Sequence, residues 1–159
     1  TLYDYFKSDH YIYLILEYCP NGSLFDIMTK RGEPFSGQEL ISIIRQVLQA
    51  INYIHSIGIA HRDIKPHNIL MDSHNRPKLA DFGFAQFYNS DLKESHYFNG
   101  SFAYMAPELI LKHEYSPTAV DIWALGVTFY HFCIRISSMV RQQCPKRNCF
   151  WLFFNSKHI

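Results

Sequence analysis

No apolar run in this sequence approaches the roughly 20 residues that a bilayer-spanning helix requires, so a helical membrane protein is not expected. No basic start followed by an apolar stretch marks a signal peptide. An excess of charge of one sign is also missing. Fifteen Lys and Arg stand against 14 Asp and Glu, a formal +1, so no strong field draws the chain to nucleic acid or to an acidic membrane surface. Cysteine is sparse and uneven: Cys19 stands alone, and Cys133, Cys144 and Cys149 crowd toward the end. A zinc site needs two close ligand pairs, which Cys144, Cys149 and His158 match poorly. Reduced thiols in a cytosolic protein are the expectation. The nine histidines form no tract, and no internal repeat or low-complexity segment is present.

What is there suffices for one domain: 159 residues, 48% of them hydrophobic, can bury one sizeable core. The chain opens at Thr1 without a methionine and runs directly into strand-like sequence, as expected of a piece of a longer protein. Leu2 to Phe6 and Tyr11 to Glu17 read as two strands around the polar turn Lys7-Ser8-Asp9-His10. Pro20-Asn21-Gly22 breaks that run, and Ser23 to Lys30 predicts a short helix. Ser36 with Glu39 has capping-box spacing. Leu40, Ile44, Val47, Leu48, Ile51 and Ile54 then recur at helical intervals up to a stop at Gly58, a stripe best read as core packing. Ile69 to Met71 and Pro77 to Ala80 flank Asp72 to Arg76 as a second hairpin. Ser116-Pro117 starts a helix that continues through Ile122 to Phe132. After Cys133 the sequence turns basic and ends near the run Phe150 to Phe154, without readable periodicity.

Two loops carry chemistry. One is His61-Arg62-Asp63-Ile64-Lys65-Pro66-His67-Asn68, and the other is Asp81-Phe82-Gly83 behind the second hairpin. Moving a phosphoryl group from ATP to a hydroxyl is mostly positioning and charge neutralisation. A carboxylate orients the hydroxyl and takes its proton, a cation steadies the phosphate, and hard oxygens hold Mg²⁺ with one or two carboxylates. Asp63, Lys65, Asn68 and Asp81 are the residue types that task needs, on loops a hairpin can bring together.

These loops resemble the catalytic and metal loops of eukaryotic protein kinases. Ala106-Pro107-Glu108 is similar to the family's APE motif, Asp121-Ile122-Trp123-Ala124-Leu125-Gly126 to its DxWxxG helix, and Leu14 to Cys19 to the last small-lobe strand entering the hinge. The resemblance implies an α+β, protein-kinase-like fold: the end of the small β lobe plus the first part of the mainly helical large lobe, truncated at both ends. Residues 1–18 would be small-lobe strands, 19–22 the hinge and 23–132 the large lobe, with 133–159 a divergent tail. It implies Asp63 as catalytic base, Lys65 near the γ-phosphate, and Asn68 and Asp81 as magnesium ligands. Backbone groups of Glu17 and Cys19 would meet adenine, with Leu16 as gatekeeper, Leu70 beneath the base and Ser23 near the ribose. His61 would pack structurally with Phe82 and Leu2, and Asp121 would bond the catalytic-loop backbone. Lys65, with Ser101 ahead of APE, is similar to serine/threonine rather than tyrosine kinases.

The implied function is a protein serine/threonine kinase, a transferase using ATP and Mg²⁺ on a protein substrate, cytoplasmic or nuclear, with a regulatory protein partner conceivable. Arg62 implies an activation segment, about residues 81–108, ordered by phosphate; Ser90, Ser95 and Tyr97 are the candidate sites. The sequence shows no glycine-rich loop, no strand lysine and helix glutamate for the phosphates, and no evident partner for Glu108. The isolated chain is therefore expected to bind nucleotide weakly and to catalyse little. The alternatives are a non-catalytic kinase-like binding module and a small-molecule kinase, the latter disfavoured by Lys65, APE and DIWALG.

Overall fold

The computed structural model describes residues 1–31, 37–88, 101–111 and 114–133. Its centre is α2 (Gly37–Ser56), which buries Ile43, Val47, Ile51 and Ile54 on one helical face. Leu40 packs beside them and Ile44 is half-buried, but Leu48 is 44% exposed. The expected stripe is thus corrected toward Ile43. Gly58, at φ +77°, ends the helix, in a conformation that costs glycine nothing. The expected Ser36 cap lies outside the described residues. Glu39 instead pairs with Arg31 at 2.7 Å across an exposed surface.

Against α2 stands α4 (Pro117–Cys133), contributing Ala124, Leu125 and the fully buried Phe132 to the same core. The start at Pro117 is the one expected. A hairpin of β4 (Ile69–Met71) and β5 (Pro77–Leu79) pairs Ile69 with Leu79 and Met71 with Pro77. Ile69 and Met71 face the core while Leu70 stays half-buried, as alternation along a strand requires. A smaller pair unites β3 (Ile59–Ala60) with β6 (Gln86–Phe87). The short α3 (Pro107–Ile110) anchors a second cluster of Ala106, Leu109, Tyr115 and Val120.

Helix α1 (Leu24–Arg31) starts one residue later than expected, because Ser23 is its cap. The Ser23 hydroxyl accepts from Asp26 N at 3.1 Å, and Asp26 Oδ2 accepts from Ser23 N at 2.8 Å and from Ser23 Oγ at 2.6 Å. This reciprocal arrangement satisfies two free N–H groups at once. Ahead of it, β1 (Leu2–Lys7) and β2 (Ile12–Leu16) form the expected antiparallel hairpin. Every residue of both strands is exposed, Leu14 and Ile15 on successive positions by 56% and 46%, so neither face is packed against another described element. Phe6 stacks on Tyr13 across the pair at 4.6 Å.

Candidate active site

The loop after β3 is held by one buried carboxylate. Asp121, fully buried on α4, accepts at Oδ2 from His61 N (2.8 Å) and His55 Nε2 (2.9 Å), and at Oδ1 from Arg62 N (2.7 Å). Arg62 sits at φ +68°, left-handed backbone that a non-glycine residue adopts at a cost of about 1–2 kcal/mol. The two bonds to successive N–H groups fix that turn. His61, also fully buried, accepts from Asp63 N at Nδ1 (3.3 Å) and so donates from Nε2 to Ala80 O (3.0 Å). Its ring meets Phe82 edge-on at 4.7 Å, the expected packing, while Leu2 remains 54% exposed.

Burial pushes the His61 imidazole below its usual range, and burial followed by nearby His67 does the same to His131. The unfolded chain takes up these protons near pH 6.5 and the folded chain only at lower pH. Stability is therefore full above about 6.5 and is lost as pH falls from there toward the folded values. The urea midpoint should drop between pH 7.5 and 5.5, and His61→Asn should flatten that drop. A midpoint equally flat in the parent protein would refute it.

Asp63, 4% exposed, is the focus of the loop. Its Oδ2 accepts from Lys65 Nζ at 2.6 Å and from Asn68 Nδ2 at 2.9 Å. Its Oδ1 accepts from Ser101 N at 3.2 Å and Ser101 Oγ at 3.3 Å. Lys65 Nζ also donates to Ser101 Oγ at 2.9 Å, closing the ring of contacts. Beside it, a cavity of ≈ 20 Å³ lined by Arg62, Ile64, Ser101, Tyr104, Tyr115 and Asp121 has room for about one water.

Asp81 stands on the neighbouring loop, brought there because Ala80 N donates to Asn68 O at 2.8 Å. It has φ +61° and is exposed, its carboxylate accepting only Gly83 N at 3.3 Å among the described residues. Asn68 donates from Nδ2 to Asp63 O (2.8 Å) and Oδ2, which leaves its Oδ1 as the acceptor end of the amide. One carboxylate and one amide oxygen are hard donors suited to Mg²⁺ that takes its remaining ligands from phosphate and water. No cluster of three or more His, Cys, Asp or Glu suited to a metal occurs among the described residues.

Of the expected nucleotide-side residues, Ser23 and Leu70 meet at the start of α1. Ser23 bridges Leu70 in antiparallel fashion, and Met71 N donates to Gly22 O at 2.9 Å. Asn21 Nδ2 donates to Asp72 O and Asn75 Oδ1, at 2.8 and 2.9 Å, tying this segment to the β4–β5 turn. The Ser23 hydroxyl is engaged by the helix cap. Glu17 O and Cys19 N take part in no backbone hydrogen bond among the described residues, although Cys19 Sγ lies 4.0 Å from Glu17 O. Burial raises the Cys19 thiol above its usual range. The Glu17 carboxylate lies 3.1 Å from Lys78 Nζ. Lys78, which sequence reasoning passed over as a contact, thus joins the end of the first hairpin to β5.

The protein kinase domain profile matches residues 1–148. The chain belongs to that family. It is 40% identical over 131 residues to an Aurora kinase of Encephalitozoon cuniculi, covering 82% of this chain and 47% of that protein. It is 40% identical over 131 residues to a probable serine/threonine-protein kinase of Saccharomyces cerevisiae, covering 82% and 12%. It is 41% identical over 130 residues to maternal embryonic leucine zipper kinase of Danio rerio, covering 81% and 19%. The chain spans about half the length of the first of these relatives and less of the others. The serine/threonine kinase resemblance read from the motifs is borne out, and so is the α+β kinase fold.

In this kinase domain Arg62 has partners that the sequence did not disclose. Its guanidinium donates to Gln86 Oε1 at 2.7 Å and to Tyr115 Oη at 3.1 Å, joining the catalytic loop to β6 and to the segment before α4. Ser90, Ser95 and Tyr97 lie outside the described residues, as does the tail from 134 onward. Glu108 forms no ion pair among the described residues. Ser101, read in sequence as a marker of acceptor type, is a direct ligand of Asp63; only its fixed place ahead of APE could have signalled that contact.

Proposed function

We propose that this chain carries the large-lobe side of ATP- and Mg²⁺-dependent phosphoryl transfer to serine or threonine hydroxyls of protein substrates. The observation that carries this reading is Asp63, buried yet bonded on both oxygens by Lys65, Asn68 and Ser101. Its carboxylate is positioned to orient an entering hydroxyl and accept its proton, the work of a general base. Lys65, held between Asp63 and Ser101, would turn its ammonium toward a transferring phosphate. Asn68 and Asp81 would hold the metal, and Glu17 O and Cys19 N would meet the adenine edge over Leu70. MgATP, when bound, supplies the phosphoryl group and the charge that neutralises it.

The exposed β1–β2 hairpin favours a second reading, a kinase-like module that binds partners without transferring phosphate. A two-stranded sheet is marginal by itself, and open strand edges invite pairing. The test is transfer from γ-labelled ATP to serine- and threonine-containing proteins. It would use this chain alone and the chain joined behind the amino-terminal lobe of the Encephalitozoon relative. Mg²⁺-dependent labelling of serine or threonine by the joined protein is expected. Nucleotide binding with no labelling in either form would favour the binding module.

A further inference from the structure

Beyond the catalytic loop, one ammonium joins three parts of the chain. Lys78 lies in the middle of β5, paired across the strands with Leu70 of β4. Its Nζ is 3.1 Å from Glu17 Oε1 and 3.6 Å from Asp72 Oδ2. Asp72 is the fixed end. It is buried, and its Oδ1 accepts from His74 N and Arg76 N, each at 2.9 Å. Its Oδ2 accepts from Arg76 Nε at 2.7 Å. Glu17 follows β2 directly, in a hairpin that packs neither face against another described element.

A second tie ends on the same residue. Asn21 Nδ2 donates to Asp72 O and to Asn75 Oδ1, and Met71 N donates to Gly22 O. The segment from Glu17 to Gly22 is thus held at both ends by the β4–β5 hairpin, one end through charge and the other through amides. Between them Gly22 N closes a turn on Cys19 O at 3.2 Å. Lysine suits the first tie, because an ammonium carries three donors and can serve two carboxylates at once. Without that charge, Glu17 and Asp72 would face the same gap as like charges and repel. A pair with side chains 33% and 17% exposed adds little to stability. Its effect is on where the segment sits.

We propose that Lys78 is a positioning residue for the adenine ring: joined to Glu17 and Asp72, it sets the height of Glu17 O and Cys19 N above Leu70, its own cross-strand neighbour. The base would lie between that edge and that floor, so one strand pair gauges both. The proposal rests on the reading of Glu17, Cys19 and Leu70 as the adenine site. The test uses the full chain, with adenosine and magnesium triphosphate as separate probes in titration calorimetry. Lys78→Met keeps the length of the stem but not the charge. It should weaken adenosine binding about fivefold, the most expected of an ion pair this exposed, and leave triphosphate binding unchanged. Lys78→Arg should restore adenosine binding.

Amide hydrogen exchange gives a reading without ligand. The Gly22 amide, bonded to Cys19 O rather than to Lys78, should exchange about fivefold faster in Lys78→Met. The amides of Val47 and Ile51, in the core, should keep the parent rates. An unchanged Gly22 rate, or equal acceleration at Val47 and Ile51 through a general loss of stability, would overturn the proposal. So would failure of Lys78→Arg to restore binding. A parent chain that binds no adenosine removes the adenine-site reading itself, and the proposal with it. Adenosine binding that ignores the Lys78→Met change removes the proposal alone.

Discussion

Replacing Asp121 by alanine should lower the stability of the chain by about 3–5 kcal/mol, a large share of the roughly 5–15 kcal/mol typical of a domain. The carboxylate is fully buried, and its removal leaves His61 N and Arg62 N without their acceptor. Each buried unpaired N–H costs about 1–3 kcal/mol. The left-handed turn at Arg62 also loses the contacts that hold it, and the loop bearing Asp63 follows directly. His55→Ala deletes only the third bond to Asp121 and should cost about 1 kcal/mol. Asp121→Asn keeps one acceptor oxygen but turns an amide N–H toward another donor, so it should fall between the two. Urea denaturation of the three variants gives the comparison. A loss below about 1 kcal/mol for Asp121→Ala would mean that water replaces the carboxylate and that the loop is held by other contacts.

Much of this fold was legible because short-range chemistry dictated it. Ile69 to Met71 and Pro77 to Leu79, flanking the polar turn Asp72 to Arg76, made β4 and β5, and Pro117 opened α4. The face of α2 was harder. Ile43, Ile44, Val47 and Leu48 are all apolar, and periodicity alone could not say which side would be covered; contact with α4 and the hairpin decided for Ile43 over Leu48. The β3–β6 pair has two residues in each strand, too few to leave any pattern. Ser23, expected near the ribose, also caps α1. Ser-x-x-Asp over Ser23 to Asp26 is a local helix-start signal.

The site divides in the same way. Asp63, Lys65, Asn68 and Asp81 were found by residue type and motif, and the structure brings the first three into direct contact and places Asp81 on the adjoining loop. What the sequence could not give were contacts made across long separations: Ser101 on Asp63, Tyr115 and Gln86 on Arg62, His131 on Tyr104. Each joins segments that only tertiary packing brings together, and none belongs to a local motif.

Asp63→Asn should cut phosphoryl transfer by at least about 10³-fold, within the range assigned to a general base, in any form of the protein that transfers phosphate. The amide can still accept from Ser101 N and Oγ on one side, so the chain should remain folded. On the other side its NH₂ would face Lys65 Nζ and Asn68 Nδ2, donors against donors, where the native oxygen accepts both. Lys65 should then swing away. Lys65→Ala alone should slow transfer about 10²-fold, the usual cost of losing one preorganised electrostatic contact. In the Asp63→Asn background it should add little, because groups that act as a unit are not additive. Nucleotide affinity, measured separately, should change little in Asp63→Asn, since the expected adenine contacts lie at Glu17 and Cys19. A double variant slower than Asp63→Asn by a further 10² would show that Lys65 acts on phosphate independently of the carboxylate. Undiminished transfer by Asp63→Asn would remove the carboxylate from the reaction altogether.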